Sequence, residues 1–475
     1  MTRPTDIGLI GLGTMGSALA LNIVDNGFSL SVFNRTASVT RTFVGAAGAL
    51  ADRLTATETL EDFVQSLASP RTIILMVPAG AVVDQQIAAL APLLEPGDLI
   101  VDAGNANYAD TSRRVRAAEE SGHDFLGIGV SGGEEGARHG PSIMVGGGRD
   151  HWLRLKPLLQ AISAKYQGAP CAAYMGPEGA GHFVKMVHNG IEYADMQMIA
   201  ETYDILGRGL GRDMEEIAET FETWNRGPLA SYLIEISGRI ARSTDPLTGA
   251  PMLDVILDKA GQKGTGRWTA IEAQHLGVAA PVIEAAVCAR NLSAALDTRQ
   301  RGAEVFGAQP GPMAGDTVSA DELESALIAG KILCYAQGFD MLAAASRHYG
   351  WDLPLPEIAR IWRAGCIIRS DMLNDMAKAL AESDDDLLIF AAPFQDHLAR
   401  HEAALRKIVL TAMEAGLAVP ALAAGLSWFD SIRTPRSSAN MIQAQRDFFG
   451  AHGYQRTDGK DAPHGPWGSE QHTGA

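Results

Sequence analysis

The stretch that most restricts the fold lies at the start of the chain. A short apolar run, Asp6 to Ile10, leads into Gly11-Leu12-Gly13-Thr14-Met15-Gly16 and then into a helical pattern, Ser17 to Gly27. Strand, G-x-G-x-x-G and helix in that order form the turn that receives a dinucleotide pyrophosphate. The first glycine permits the tight turn, the second the approach of the phosphates, and the third the packing of helix on strand. Alone, such glycines could be an ordinary turn. Here the alternation continues, with strands predicted at Ser29 to Phe33, Thr72 to Val77, Leu99 to Ala103 and Phe125 to Val130. Helices are predicted at Ala81 to Leu90 and Thr111 to Ser121. This is the pattern of a Rossmann-type, doubly wound parallel sheet, which binds ligands beyond the carboxyl ends of its strands. Val77, Pro78, Ala79, Asn105 and Ser131-Gly132-Gly133 fall at those ends.

The second strand ends in Asn34-Arg35-Thr36. An NAD site would place a carboxylate there for the ribose diol. Arg35 can instead pair with a 2′-phosphate and Thr36 can donate a hydroxyl, so NADP is the expected cofactor. Gly129 to Gly133 also spells G-x-S-x-G. A hydrolase elbow needs a helix directly after its serine, whereas the glycine-rich GGEEGARHGPS reads as a loop. Ser131 and its neighbours are therefore read as a nest for a carboxylate.

After residue 176 the β pattern stops. Gly179 to Gly211 reads as one long helix with no proline. Lys185, His188, Asn189, Glu192 and Tyr193 share one face, within an arc of roughly 140°. Phe183, Val184, Val187, Ile191, Ala194 and Met198 share the other. A plain solvated face rarely carries His and Tyr beside an amine and a carboxyl. Further helices are predicted at Met214 to Trp224, Leu229 to Arg242, Leu253 to Ala260 and Pro281 to Leu296. A weak internal echo, offset by about 141 residues, sets Lys185, His188, Asn189 and Glu192 against Ala326, Ala329, Gly330 and Leu333. The later copy lacks the polar face. Gly261-Gln262-Lys263-Gly264-Thr265-Gly266 is a glycine-rich loop carrying a charge and a hydroxyl suited to an anion. Arg290 could add a bidentate contact.

The expected organisation is a dinucleotide domain over 1–176, an all-helical domain over 177–434 and a tail over 435–475. The tail carries Phe448, Phe449, Tyr454 and Trp467, an aromatic content that suits docking better than disorder. A net charge of −17 argues against nucleic acid or an anionic membrane as partner. No apolar run approaches the ~18 residues of a membrane span, so none is expected. Four scattered cysteines without CxxC suit a reducing compartment and no thiolate metal site. His397 and His401 have metal-ligand spacing but no third ligand, so no metal is expected.

Taken together, GLGTMG, NRT, VDAGN, GVSGGEEGAR, HFVKMVHNGIEYADMQMIAE, GQKGTGRWT and IQAQRDFFGAH resemble the decarboxylating 6-phosphogluconate dehydrogenases, from about Ile7 to Trp467. The resemblance implies NADP-dependent oxidative decarboxylation of 6-phosphogluconate by a cytoplasmic homodimer whose tails exchange. It implies that Lys185 acts as base and then acid, and Glu192 as second acid. His188, Asn189 and Tyr193 would bind substrate, and Ser131, Gly132 and Gly133 would hold its carboxylate end. Tyr193, Lys263, Thr265 and Arg290 would hold the phosphate, with Arg446 and His452 from the other subunit. Gly11 to Gly16, Asn34, Arg35, Thr36, Val77 and Ala79 would line the cofactor, with Asn105 beside both ligands. Pro78 and Ala103 depart from the family pattern. For the chemistry, Lys185 must be neutral at the start, so its pKa should be lowered by desolvation and by nearby cations. The competing readings are a dehydrogenase of the 3-hydroxyisobutyrate type, which would lack the GQKGTG loop and the tail, and a silent NADP-binding protein.

Overall fold

The computed structural model describes residues 3–307, 312–313, 318–383, 387–461 and 464–467. Its strands are β1 (Ile7–Ile10), β2 (Leu30–Phe33), β3 (Leu54–Thr57), β4 (Thr72–Leu75), β5 (Leu99–Asp102), β6 (Asp124–Val130), β7 (Ile143–Gly147), β8 (Lys165–Tyr166), β9 (Ala169–Pro170) and β10 (Ala172–Gly176). Helices α1 (Thr14–Asp25), α2 (Ala37–Ala46), α3 (Leu60–Gln65), α4 (Ala81–Leu90), α5 (Tyr108–Ser121), α6 (Gly133–His139) and α7 (Arg149–Ile162) lie between them.

Eight strands form one sheet in the order β10-β7-β6-β5-β4-β1-β2-β3, and β8 and β9 pair separately. The six strands from β6 to β3 run parallel. β7 pairs antiparallel to β6, so the sheet is mixed rather than purely parallel. Successive residues feed opposite faces, as the strand period of two requires. Leu9, Val101 and Leu126 enter one apolar cluster, and Ile10, Ile100 and Phe125 the other. Strands β3, β7 and β10 escape the sequence pattern because they are short and built from Thr, Ala and Gly as much as from branched residues.

The helical part comprises α8 (Ala180–Asp204), α9 (Met214–Trp224), α10 (Tyr232–Ala241), α11 (Met252–Val255), α12 (Thr265–Leu276), α13 (Pro281–Ala294), α14 (Leu296–Phe306), α15 (Ala320–Tyr349), α16 (Leu355–Ile361), α17 (Met372–Glu382), α18 (Ala392–Glu414), α19 (Pro420–Ile432) and α20 (Ala439–Gly450). The helix predicted up to Ala260 stops at Val255, and the chain from there to Gly264 is irregular. α8 ends in a π-helical turn, Ile205–Gly209. The pair α8–α9 recurs in order and spacing as α15–α16, matching the sequence echo. By length and composition α15 could cross a membrane, contrary to the sequence expectation. However, 94% of its apolar stretch is buried, so it serves as a core helix.

Two compact bodies result, Met1–Leu426 and Ser427–Ala475. The break falls inside α19, ahead of Pro435. Sheet and helices share the first body because α8 lies directly on the sheet. A Cβ on Gly129 would stand 2.4 Å from Lys185 Cβ, and one on Gly127 would stand 2.7 Å from the ring of His182. Gly146 and Gly181 likewise meet backbone to backbone. On the far sides of α8, Gly190 admits Thr269 of α12, and Gly338 of α15 admits Ile191.

Candidate active site

The glycine turn follows β1. Gly11 has φ +102°, and a Cβ on Gly16 would stand 1.9 Å from Gly11 O, so neither tolerates a side chain. Gly13 differs: nothing lies within 4 Å of where its Cβ would stand. It is also the N-cap of α1 and caps with no side chain. Open space in front of an uncapped helix N-terminus fits a pyrophosphate. Asn34 Oδ1 accepts from Leu12 N at 3.1 Å, which ties the end of β2 to this turn. That leaves Arg35 and Thr36 exposed beside it. Val77, Ala79 and Asn105 follow the neighbouring strands β4 and β5. These residues suit a dinucleotide with an extra phosphate on its ribose.

The predicted polar face of α8 does not face solvent. Lys185 is 6% exposed, and His188, Asn189 and Tyr193 are also buried. Lys185 Nζ lies 3.1 Å from Ser131 Oγ and 3.2 Å from His188 Nδ1. Ser131 Oγ lies 3.2 Å from His188 Nε2. Glu192 Oε2 lies 3.7 Å from His188 Nδ1. Burial pushes the Lys185 amine below its ordinary value, with Glu192 and Cys366 acting in the opposite sense. The expected help from nearby cations is not found; desolvation does the work. Burial also drives His188 well below its ordinary value, and Lys185 adds to the shift. Glu192 is raised by burial, against the charges of Lys185 and Arg290. The cluster therefore favours neutral forms: amine, imidazole and carboxylic acid.

Ser131 follows β6, and the chain then enters α6 at once with Gly132 as N-cap at φ +99°. The predicted loop is a helix, so that ground for setting aside a hydrolase elbow fails. A different one replaces it. Ser131 does not take the left-handed backbone of a strained elbow, and its hydroxyl is buried against Lys185.

α12 closes another side. Asn189 Nδ2 donates to Thr265 Oγ1 at 3.1 Å, and Thr269 Oγ1 donates to Met186 O at 2.7 Å. Thr265 is thereby fixed beside α8, whereas Lys263 stays exposed on its loop. Gly266 packs against the ring of Tyr193, and the Arg290 guanidinium sits 3.6 Å from that ring's centre. Tyr193, Thr265 and Arg290 thus converge at one end of the cluster, with Ser131 near Lys185 at the other. Arg446 and His452 belong to the second body. Among the described residues, no group of three or more His, Cys, Asp or Glu is placed to hold a metal.

Three contributors went unseen in the sequence. Trp362 sets its ring edgewise to His188 at 5.5 Å between centres. Gly365 O accepts from Ser142 N at 2.7 Å, and Gly365 backs onto Gly132. Cys366 is fully buried near Lys185, its thiol pushed up to about 12 by burial. This segment follows α16 in the second copy of the repeat and carries no motif of its own. Gly127 and Gly129, alternating in β6, did carry a signal: a strand face stripped of side chains marks a close helix.

The chain is similar to known proteins over nearly its whole length. The family model for the NAD binding domain of 6-phosphogluconate dehydrogenase matches residues 6–176, and that for the 6-phosphogluconate dehydrogenase C-terminal domain matches residues 181–467. An NADP(+)-dependent, decarboxylating 6-phosphogluconate dehydrogenase of Bacillus subtilis is 48% identical over 97% of this chain and 98% of its own. An NAD(+)-dependent one from the same organism is 47% identical over 97% and 99%. The solved 6-phosphogluconate dehydrogenase of Plasmodium falciparum, described with NADP+ and with 6-phosphogluconate, superposes with a TM-score of 0.92 at 40% identity. That superposition covers 97% of this chain and all of the other.

Proposed function

The chain belongs to the 6-phosphogluconate dehydrogenase family, and from that premise we infer how its own residues carry the reaction. The enzyme oxidises and decarboxylates 6-phospho-D-gluconate to D-ribulose 5-phosphate and CO2, reducing NADP. The observation that carries the assignment of roles is the setting of Lys185. It is buried against Ser131 and His188 with no carboxylate at ion-pair distance among the described residues.

The Gly11–Gly16 turn, Arg35 and Thr36 would hold NADP, which would supply the acceptor for the hydride of C3. Lys185, its charged form disfavoured by desolvation, takes the proton of the C3 hydroxyl. The resulting β-keto acid loses CO2 readily, because the new ketone accepts the electron pair. Lys185, now an ammonium, stabilises the developing enolate oxygen. Glu192, its acid form favoured by burial, then delivers a proton to C1 of the enediol. Ser131 with Gly132 and Gly133 holds the carboxylate end, and Tyr193, Thr265, Lys263 and Arg290 hold the phosphate end. His188 and Asn189 position the sugar between them, and Asn105 lies where the two ligands meet. The relatives include enzymes of both cofactor types at nearly equal identity. Preference therefore rests on Arg35 and on the missing carboxylate after β2.

The working form is a cytoplasmic homodimer whose tails complete each other's sites, with Arg446 and His452 reaching the partner's phosphate. Two features support it. The first body exposes Met196 and Ile240 at an apolar cavity of about 300 Å³, and also exposes Val255, Ile256 and Leu257. The second body exposes Phe448 and Phe449. The test is an absorbance assay for NADPH with coupled CO2 detection, supplied with 6-phosphogluconate and, separately, 3-hydroxyisobutyrate. Turnover of the phosphorylated acid alone is expected. Turnover of the other acid alone, or of neither, would overturn the assignment.

A further inference from the structure

The second body is organised about one carboxylate. Asp447, on α20, is 3% exposed although its neighbours Phe448 and Phe449 are exposed. Its Oδ1 accepts from Gly453 N at 2.9 Å and meets His464 Nδ1 at 2.7 Å. Its Oδ2 accepts from Gly465 N at 2.8 Å and from Trp467 Nε1 at 2.6 Å. Four partners converge on two oxygens, the arrangement that charge-assisted bonds make strong. His464 most of all, together with Gly465, holds this carboxylate well below its ordinary range.

The consequence lies at the turn after the helix. α20 is capped at its C-terminus by Ala451, whose φ of +50° is left-handed, and the chain doubles back to Gly453. Gly453 is held twice: its N–H by Asp447, and its carbonyl by Gln443 Nε2. Gln443 Oε1 in turn accepts from Arg446 Nη1 at 3.0 Å. The His452 ring rests against Gly450 and stands edgewise to Phe449. Arg446 and His452 are therefore locked to a common frame, and Asp447 is its junction.

We propose that Asp447 is a positioning residue, fixing the Ala451-His452-Gly453 turn so that Arg446 and His452 meet the substrate phosphate as one preorganised pair. The proposal rests on the reading that the tail serves the partner's site. Asp447→Asn tests it, because the amide puts an N–H2 group against N–H donors and can no longer accept from all of them. In the dimeric enzyme, KM for 6-phosphogluconate should rise about tenfold or more, while kcat and the KM for NADP stay within about threefold. Arg446→Ala should raise the same KM, and the double variant should add little to the larger single loss.

Three outcomes separate the claims. If Arg446→Ala and His452→Ala leave KM unchanged, the tail reading itself fails. If Arg446→Ala raises KM and Asp447→Asn does not, the positioning role fails alone. If both act but their effects multiply, Asp447 works independently of Arg446 and the proposal is overturned. A uniform fall in kcat and in both KM-based efficiencies would mark a purely structural residue and would also overturn it. Trp467→Phe removes one donor and keeps a ring, so it guards against wholesale unfolding. It should raise the same KM by a smaller factor; no change in it would count against the junction.

Discussion

The molecule holds two buried lysines on two facing helices, and they are opposites. Lys331 on α15 is 1% exposed and grips both oxygens of Asp195 on α8, at 2.9 and 2.8 Å. Lys185 on α8 is buried almost as deeply, but its amine bonds, among the described residues, a serine hydroxyl and an imidazole rather than a carboxylate. The first amine has a counter-charge and joins two helices. The second has none in bonding range, so burial disfavours its charged form and makes it available as a base. The difference teaches that burial alone does not define a base; what matters is burial without a paired carboxylate.

Removing each amine's function should break this contrast in different ways. Lys185→Ala should lower kcat by about 10³-fold or more while NADP binding, followed by fluorescence titration, is kept. Near-normal turnover would refute its role. Asp195→Ala strands the charge of Lys331 and should cost about 3–5 kcal/mol of stability, measured by urea unfolding, with turnover at low temperature largely retained. Replacing both partners by apolar residues, Asp195→Leu with Lys331→Met, should recover most of that loss. A double variant as unstable as the single one would mean the pair does more than compensate itself.

Glu192 sharpens the contrast from the acid side. It works only when protonated, and burial raises its pKa, so activity should fall as pH rises through that raised value. Glu192→Gln should lose about 10²-fold in kcat and flatten that basic limb. An unchanged pH profile in the variant would assign the limb elsewhere. The smallest effect is expected at an exposed cation. Arg35→Ala should weaken NADP by about tenfold and NAD hardly at all, and equal losses would mean Arg35 does not read the 2′-phosphate.

Much of this was legible in the chain. The Gly11–Gly16 turn, the absence of an acid after β2 and the polar face of α8 each had a local signature, because each needs particular residues at fixed spacing. What stayed hidden is what long-range packing decides. Trp362 and Cys366 reach the site from a segment far along the chain, and nothing around them departs from an ordinary helix end. β7 went unpredicted because two of its five residues are glycine; Gly146 meets the backbone of α8, and Gly147 packs on Leu126 of β6. α6 was masked by the same composition. The burial of the polar face was invisible for the same reason: periodicity tells which residues share a side, not what covers it.

The most direct test is the ionisation of Lys185 itself, followed by NMR of enzyme labelled with ¹³C at lysine Cε, the signal being assigned by its loss in Lys185→Met. The expected result is a midpoint below the ordinary lysine value of about 10.4. A midpoint at or above that value would contradict the claim that desolvation prepares this amine to take a proton.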